Sequence, residues 1–227
     1  MSDFEGFPKQ SVTFLTDLKK NNNKDWFHRE KQGYETYIME PARTFVVEMG
    51  RRLRSIAPHI NAIPKVNQSL FRIHRDTRFS HDKTPYKTNL GVWFWEGKRK
   101  RMECSGFYFH YGDGKLMLGV GMHVLSSELL KRYREAVADE KLGPELVRSA
   151  NKIAKQGYAI GVKHYKRVPR GYDSQHPRVE FLLHKGLTAS VEEKLPEVFF
   201  SPKIVDYTFS HFKRMEPIHQ WLRKVMD

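Results

Sequence analysis

Between Arg72 and Lys87 the chain reads Arg-Ile-His-Arg-Asp-Thr-Arg-Phe-Ser-His-Asp-Lys-Thr-Pro-Tyr-Lys. Five cations (Arg72, Arg75, Arg78, Lys83 and Lys87) surround two carboxylates (Asp76 and Asp82). Guanidinium groups are planar two-pronged donors suited to phosphate or carboxylate, and a lysine adds a mobile point charge. Pro85 fixes its own backbone and biases Thr84 towards an extended form, so the segment reads as a strand entering a rigid connection. Three readings follow from these residue types. The segment binds an anion, with Tyr86 beside the cations. Or it serves an enzyme acting on a small anionic substrate, with Asp76 or Asp82 as acid or base. Or it is an internal ion-pair frame in which the carboxylates pin the arginines. A second basic stretch, Lys163–Tyr172, offers Lys166 and Arg170, and Arg170-Gly171-Tyr172 can close over an anion held by the first.

Other chemistry is poorly represented. None of the eleven histidines shows the helical i, i+4 pairing with a glutamate that marks a zinc site. Gly119-Val120-Gly121 lacks the further glycine, lysine and helix start of a phosphate loop. Cys104 is the only cysteine, so no intramolecular disulfide forms, and alternation places it inward. No Gly-x-Ser-x-Gly elbow, helix-turn-helix, zinc finger or RNA-recognition signature is present. The sequence therefore calls for no metal and no cofactor.

The elements that must position the charged segment read as helices, then strands, then helices. Ser11 is placed to cap a short helix through Phe14, Leu15 and Leu18, stopping at Asn21-Asn22-Asn23. A second helix starts near Asp25. A third, with Pro41 as its first residue, buries Ala42, Phe45, Val46, Met49, Leu53 and Ile56 and ends at Pro58. Strands are expected over Ser69–Arg75, Thr88–Trp95, Glu103–Tyr111 and Lys115–His123. Taking Gly112–Gly114 as a three-residue loop sets Tyr111 opposite Lys115 and puts Tyr108 and Leu118 on the core face. It sets Gly119 and Gly121 opposite Phe107 and Ser105, where the missing side chains leave room for a ligand or a neighbouring backbone, or an aromatic ring packs over the glycine. The run Lys98–Arg101 falls in a turn. Helices return at Ser126–Val137 and Pro144–Lys155, a strand is expected at Arg178–Leu183, and a last helix follows Ser201-Pro202 with a kink or break at Pro217. The pattern predicts an α+β fold, with a mostly antiparallel sheet from the middle of the chain packed with N- and C-terminal helices, as one domain over residues 1–227.

Composition bounds the partners. Of 227 residues, 40 are basic and 26 acidic, a formal excess of +14 that attracts phosphate-bearing small molecules or nucleic acid. No apolar run approaches the roughly 20 residues needed to span a bilayer. Met1-Ser2-Asp3-Phe4-Glu5 has no basic region leading into an apolar stretch and is not read as a secretory signal. The expectation is a cytoplasmic protein with no membrane partner.

The central motif Arg72-Ile73-x-Arg75-Asp76-x-Arg78-Phe79-Ser80-x-Asp82-Lys83-x-Pro85-Tyr86-Lys87 resembles the signature of the DUF2461 family of bacterial and fungal proteins. Phe14-Leu15, Asn21-Asn22-Asn23 and Asp25-Trp26-Phe27 resemble that family's opening, and Pro169-Arg170-Gly171-Tyr172 with His176-Pro177 resembles a later stretch. The similarity covers most of the chain. It implies a compact intracellular protein and carries with it no activity, cofactor or catalytic residue.

Overall fold

A computed structural model describes residues 4–161 and 163–226; the N-terminal Met1–Asp3 charge pattern read above lies outside them. By contacts the chain groups into two compact units. The first comprises Met1–Phe94, Tyr108–Leu118 and Glu192–Ser210; the second comprises Trp95–Phe107, Gly119–Val191 and His211–Asp227.

The first unit opens with helix α1 (Lys9–Lys20). Pro8, extended, precedes it, so Ser11 is not the cap but lies in the first turn. Ser11 shares the i, i+3, i+4, i+7 stripe of Phe14, Leu15 and Leu18, and all four are buried. Helix α2 (Lys24–Arg29) is capped by Asn23, whose Oδ1 accepts the Trp26 N–H at 2.9 Å. Helix α3 (Lys31–Tyr34) runs through one π-helical turn (Glu35–Met39) into α4 (Glu40–Leu53), with Pro41 in its first turn. The α4 face formed by Ala42, Phe45, Val46, Met49 and Leu53 is buried as its spacing predicts. Around it Phe7 stacks on Phe199 at 4.8 Å, Phe45 lies tilted to Phe109 at 4.5 Å and Tyr111 meets Phe199 edge to face at 4.7 Å. Each such aromatic pair adds about 0.5–1.5 kcal/mol beyond its buried area.

Strands β1 (Ile60–Asn61), β2 (Asn89–Glu96), β3 (Ser105–Gly112), β4 (Lys115–Met122), β5 (Ala159–Ile160) and β6 (Leu187–Lys194) form a six-stranded antiparallel sheet in the order β1-β2-β3-β4-β6-β5. The α+β class is therefore observed. Ser69–Arg75 is not a regular strand: it pairs only at single positions, Leu70 with Val92 and His74 with Tyr86.

The β3–β4 turn corrects the expected register. Asp113 (φ 53°) and Gly114 (φ 70°) both adopt left-handed backbone, and the strands end and resume at Gly112 and Lys115. This is a two-residue turn of the primed type, whose twist matches the strands. Asp tolerates the left-handed region, so one glycine suffices where the three-residue reading used two. Pairing slips by one residue. Phe109, Tyr111, Leu116 and Leu118 are buried, while Tyr108 and His110 are half-buried on the opposite face.

In the second unit, helices α5 (Ser127–Ala138) and α6 (Leu142–Ala154) are followed by the short helix α7 (Val179–Leu182), where a strand was expected. Arg178 explains the turn: its guanidinium donates to the carbonyls of Val137 (2.6 Å) and Ala138 (2.9 Å), closing the C-terminal end of α5. Gly121 (φ 126°) sits where any Cβ would meet the Leu187 carbonyl, so the room predicted there is filled by neighbouring backbone. Strand β6 was not predicted because Glu192, Glu193 and Lys194 mask its alternation. Helix α8 (Ile204–Met226) runs through Pro217 without a break. No helix among the described residues is long and apolar enough to cross a membrane.

A buried polar chain ties α8 to the strands within this unit. His219 Nδ1 lies 2.9 Å from Ser105 Oγ, His219 Nε2 lies 2.9 Å from Glu96 Oε2, and Arg223 reaches the same oxygen at 2.7 Å. Removing one member leaves buried polar atoms without their partner. His219→Ala is expected to cost about 3 kcal/mol in urea unfolding. A loss below about 1 kcal/mol would mean the chain is replaceable by packing alone.

Candidate functional site

The Arg72–Lys87 segment folds back on itself. Lys87 N–H donates to Ile73 O at 2.8 Å and Arg75 N–H to Pro85 O at 2.9 Å, around the His74–Tyr86 bridge. Its tip is built by the two carboxylates. Asp76 accepts from Arg78 Nε (2.9 Å) and Nη2 (2.7 Å), a bidentate pair. Asp82 accepts from Thr84 N (2.9 Å), Thr84 Oγ1 (2.8 Å) and Arg75 Nη1 (2.6 Å). Arg75 also donates to the carbonyl and hydroxyl oxygens of Thr84, and Lys83 Nζ to Thr77 O at 2.9 Å.

These bonds favour the ionised carboxylates. Hydrogen bonds from Arg78 hold Asp76 down at about 2, and those from Thr84 and Arg75 hold Asp82 at about 2. A carboxylate so acidic is a weak base and is never protonated near neutrality. The geometry thus favours a framing role for both over the acid–base role.

The base of the loop is clamped from the N-terminal helices. Asn22 Nδ2 donates to Tyr86 O (2.9 Å), and Tyr86 N–H donates to Asn22 Oδ1 (3.0 Å). The Tyr86 ring, 6% exposed, stacks on Phe27 at 4.2 Å. Tyr86, expected among the ligand contacts, is therefore an anchor. The clamp joins the two most recognisable stretches of the sequence, Asn21–Phe27 and Pro85-Tyr86-Lys87.

Beside the loop lies an open cleft of about 440 Å³ lined by Phe71, Arg75, Asp76, Lys87, Asn89, Gly91, Tyr108 and His110. Of the expected residues it gathers Arg75, Asp76 and Lys87. Arg72, Arg78, Asp82 and Lys83 are elsewhere on the loop. Lys166, Arg170 and Tyr172 belong to the second unit and do not line it.

Asn89, Tyr108 and His110 were missed because the expected register turned Tyr108 into the core; the alternation of β3 was the signal that could have found them. Tyr108 Oη lies 3.0 Å and Asn89 Nδ2 3.5 Å from His110 Nδ1. Burial raises the Tyr108 hydroxyl and lowers His110, the latter partly offset by Glu192. A protonated Tyr108 can donate to Nδ1, an arrangement in which a neutral His110 carries its proton on Nε2. Lys87 Nζ stands 5.4 Å from the Phe71 ring centroid. The cleft thus combines two cations and the ionised Asp76 with uncharged polar groups that can donate to an anion.

A family model described as "Conserved hypothetical protein (DUF2461)" matches residues 10–221. The chain belongs to that family. No curated protein and no solved structure matches it.

Two outcomes test this geometry. Asn22→Ala removes both bonds to the Tyr86 peptide and should cost about 1–2 kcal/mol in urea unfolding. An unchanged midpoint would show the clamp to be dispensable. The second concerns pH. His110 and His184 are both lowered from an ordinary 6.5 by burial, so the unfolded chain binds more protons below that value. Their contribution is present above 6.5 and is lost as pH falls from 6.5 towards their lowered folded values. The thermal midpoint should drop between about pH 7.5 and about pH 5.5, and His110→Gln should reduce that drop. An equal drop in the variant would remove His110 from the account.

Proposed function

We propose that this protein binds a small phosphate-bearing ligand in the cleft beside the Arg72–Lys87 loop. The observation that carries the reading is the convergence of Arg75 and Lys87 on the same cleft as Asn89, Tyr108 and His110. Arg75 is held by Asp82 and Thr84, so its charge is oriented before any ligand arrives. Such preorganisation lowers the ordering cost of binding. Lys87 supplies a charge on a longer stem. Asp76 also lines the cleft, and its pairing with Arg78 limits its repulsion of an anion. The +14 excess raises the local concentration of anions generally.

A second reading has its own observation. Tyr108 Oη and His110 Nδ1 lie 3.0 Å apart in the cleft, and an enzyme acting on a small anionic substrate would work through this pair. In the third reading the loop is only an ion-pair frame, and no ligand would raise stability.

A thermal-shift series with orthophosphate, nucleoside monophosphates and phosphosugars separates these readings. A ligand present at about 100 times its Kd stabilises the folded state by about 2.7 kcal/mol. One of these compounds should raise the midpoint, and Lys87→Ala should weaken its binding about tenfold or more. His110→Gln would keep binding and lose turnover if the enzyme reading holds. No shift with any phosphate compound would overturn the binding reading.

A further inference from the structure

The tip of the loop presents a feature that the cleft does not use. Phe79 is 95% exposed; the next most exposed large apolar side chain among the described residues, Met102, is 56% exposed. An isolated exposed leucine or valine needs no explanation, but a whole phenylalanine ring held in water forgoes all of its burial. The chain on both sides of the ring is tied by hydrogen bonds. Asp76 fixes Arg78 on one side through its backbone N–H and its guanidinium. Ser80 N–H donates to Thr77 O on the other side. Lys83 Nζ braces Thr77 O across the tip. Arg78 stands 5.8 Å from the ring centroid, beside the ring without burying it.

The charge around the ring is one-signed in excess. Arg78 beside the ring and Lys83 across the tip are exposed, Arg72 is exposed at the base of the loop, and the carboxylate nearest the ring, Asp76, is already paired with Arg78. A flat apolar face displayed among cations matches a ligand that offers flat faces strung on a line of phosphates. We infer that Phe79 is a stacking residue for single-stranded nucleic acid, with Arg72, Arg78 and Lys83 as its phosphate contacts. Bases stack on aromatic rings whatever their sequence, while cations track the backbone. A duplex hides those faces inside its own stack. A lipid surface fits less well, because the residues flanking the ring, Arg78, Ser80 and His81, are polar and give an acyl layer one ring only. This surface is separate from the cleft, since Phe79 is not among the cleft's lining residues.

The test uses the full chain and fluorescence anisotropy with a labelled oligothymidylate of about twelve nucleotides. Wild type should bind it more tightly than a duplex of the same length. Affinity should fall steeply between about 50 and 200 mM salt. Phe79→Ala should weaken binding about five- to 150-fold, the effect of losing one stacked base. Phe79→Leu should lose nearly as much, because it keeps the apolar volume and removes the ring. Phe79→Trp should retain affinity, and its added fluorescence should be quenched by the oligonucleotide. Since Phe79 is fully exposed, none of these changes should alter the thermal midpoint. Unchanged affinity in Phe79→Ala, full affinity in Phe79→Leu, or equal preference for duplex would each overturn the inference. So would Phe79-dependent binding to phosphatidylserine vesicles without binding to the oligonucleotide. Phe79→Ala should leave any shift caused by a small phosphate compound unchanged, so failure here and failure of the cleft reading are distinguishable.

Discussion

The pair of hydrogen bonds between the Asn22 carboxamide and the Tyr86 peptide decides where the charged loop stands. A carboxamide is the one side chain that can offer a donor and an acceptor in the geometry of a peptide group, so Asn22 treats Tyr86 as a neighbouring strand would. The Phe27 ring completes the grip by covering the tyrosine. These contacts cross 64 residues of sequence and turn a loop with irregular pairing into a fixed object. Without them the bridge between His74 and Tyr86 would be a single isolated pairing, too little to hold sixteen residues in one shape. Lys87 enters the cleft directly after the clamped residue, so the position of its charge inherits the clamp's precision.

Above the clamp, charge is spent on shape. Asp76 and Asp82 are exposed, each tied to an arginine, and both are held near 2 by those bonds. Exposed ion pairs contribute little to stability in high dielectric. Their effect here is geometric: two short carboxylate-centred turns fix the directions of Arg75 and Arg78. Tyr108 and His110 lie instead on strand β3, where burial raises the tyrosine hydroxyl and lowers the imidazole. Ionised residues on the loop thus stand beside neutral ones on the sheet.

Much of the architecture was legible because it follows from local spacing. The α4 stripe, the start of α5 at Ser126 and the middle strands all rest on period and end signals that a single sequence displays, whereas the Asn23 cap reads there only as the stop of the first helix. What failed has a common physical cause: the deciding partner was remote. Ser11 looked like a cap until its spacing with Phe14, Leu15 and Leu18 was matched to a buried face. Arg178–Leu183 became helix because Arg178 reaches across to the end of α5. Strand β6 is assigned by its neighbours in the sheet rather than by its own mixed residues. The charged loop was visible as a site, yet half of the cleft beside it was not. Asn89, Tyr108 and His110 enter only when β3 is paired correctly.

That one-residue difference in the hairpin carries the largest functional consequence. In the expected register Tyr108 would be a core residue packed with Leu118, and the face beside the loop would be formed by other side chains. The two-residue turn at Asp113-Gly114 inverts this. Phe109 and Tyr111 go to the aromatic core of the first unit, and Tyr108 and His110 turn towards Arg75 and Lys87. Asp113 is further held in place by Lys19 at 2.9 Å, so a contact from α1 supports the turn that sets the register. The N-terminal helices therefore act on the cleft twice, through Asn22 on the loop and through Lys19 on the hairpin. Its cationic wall and its neutral wall are both referred to the same few turns of helix, which is why residues so far apart in sequence can present one surface.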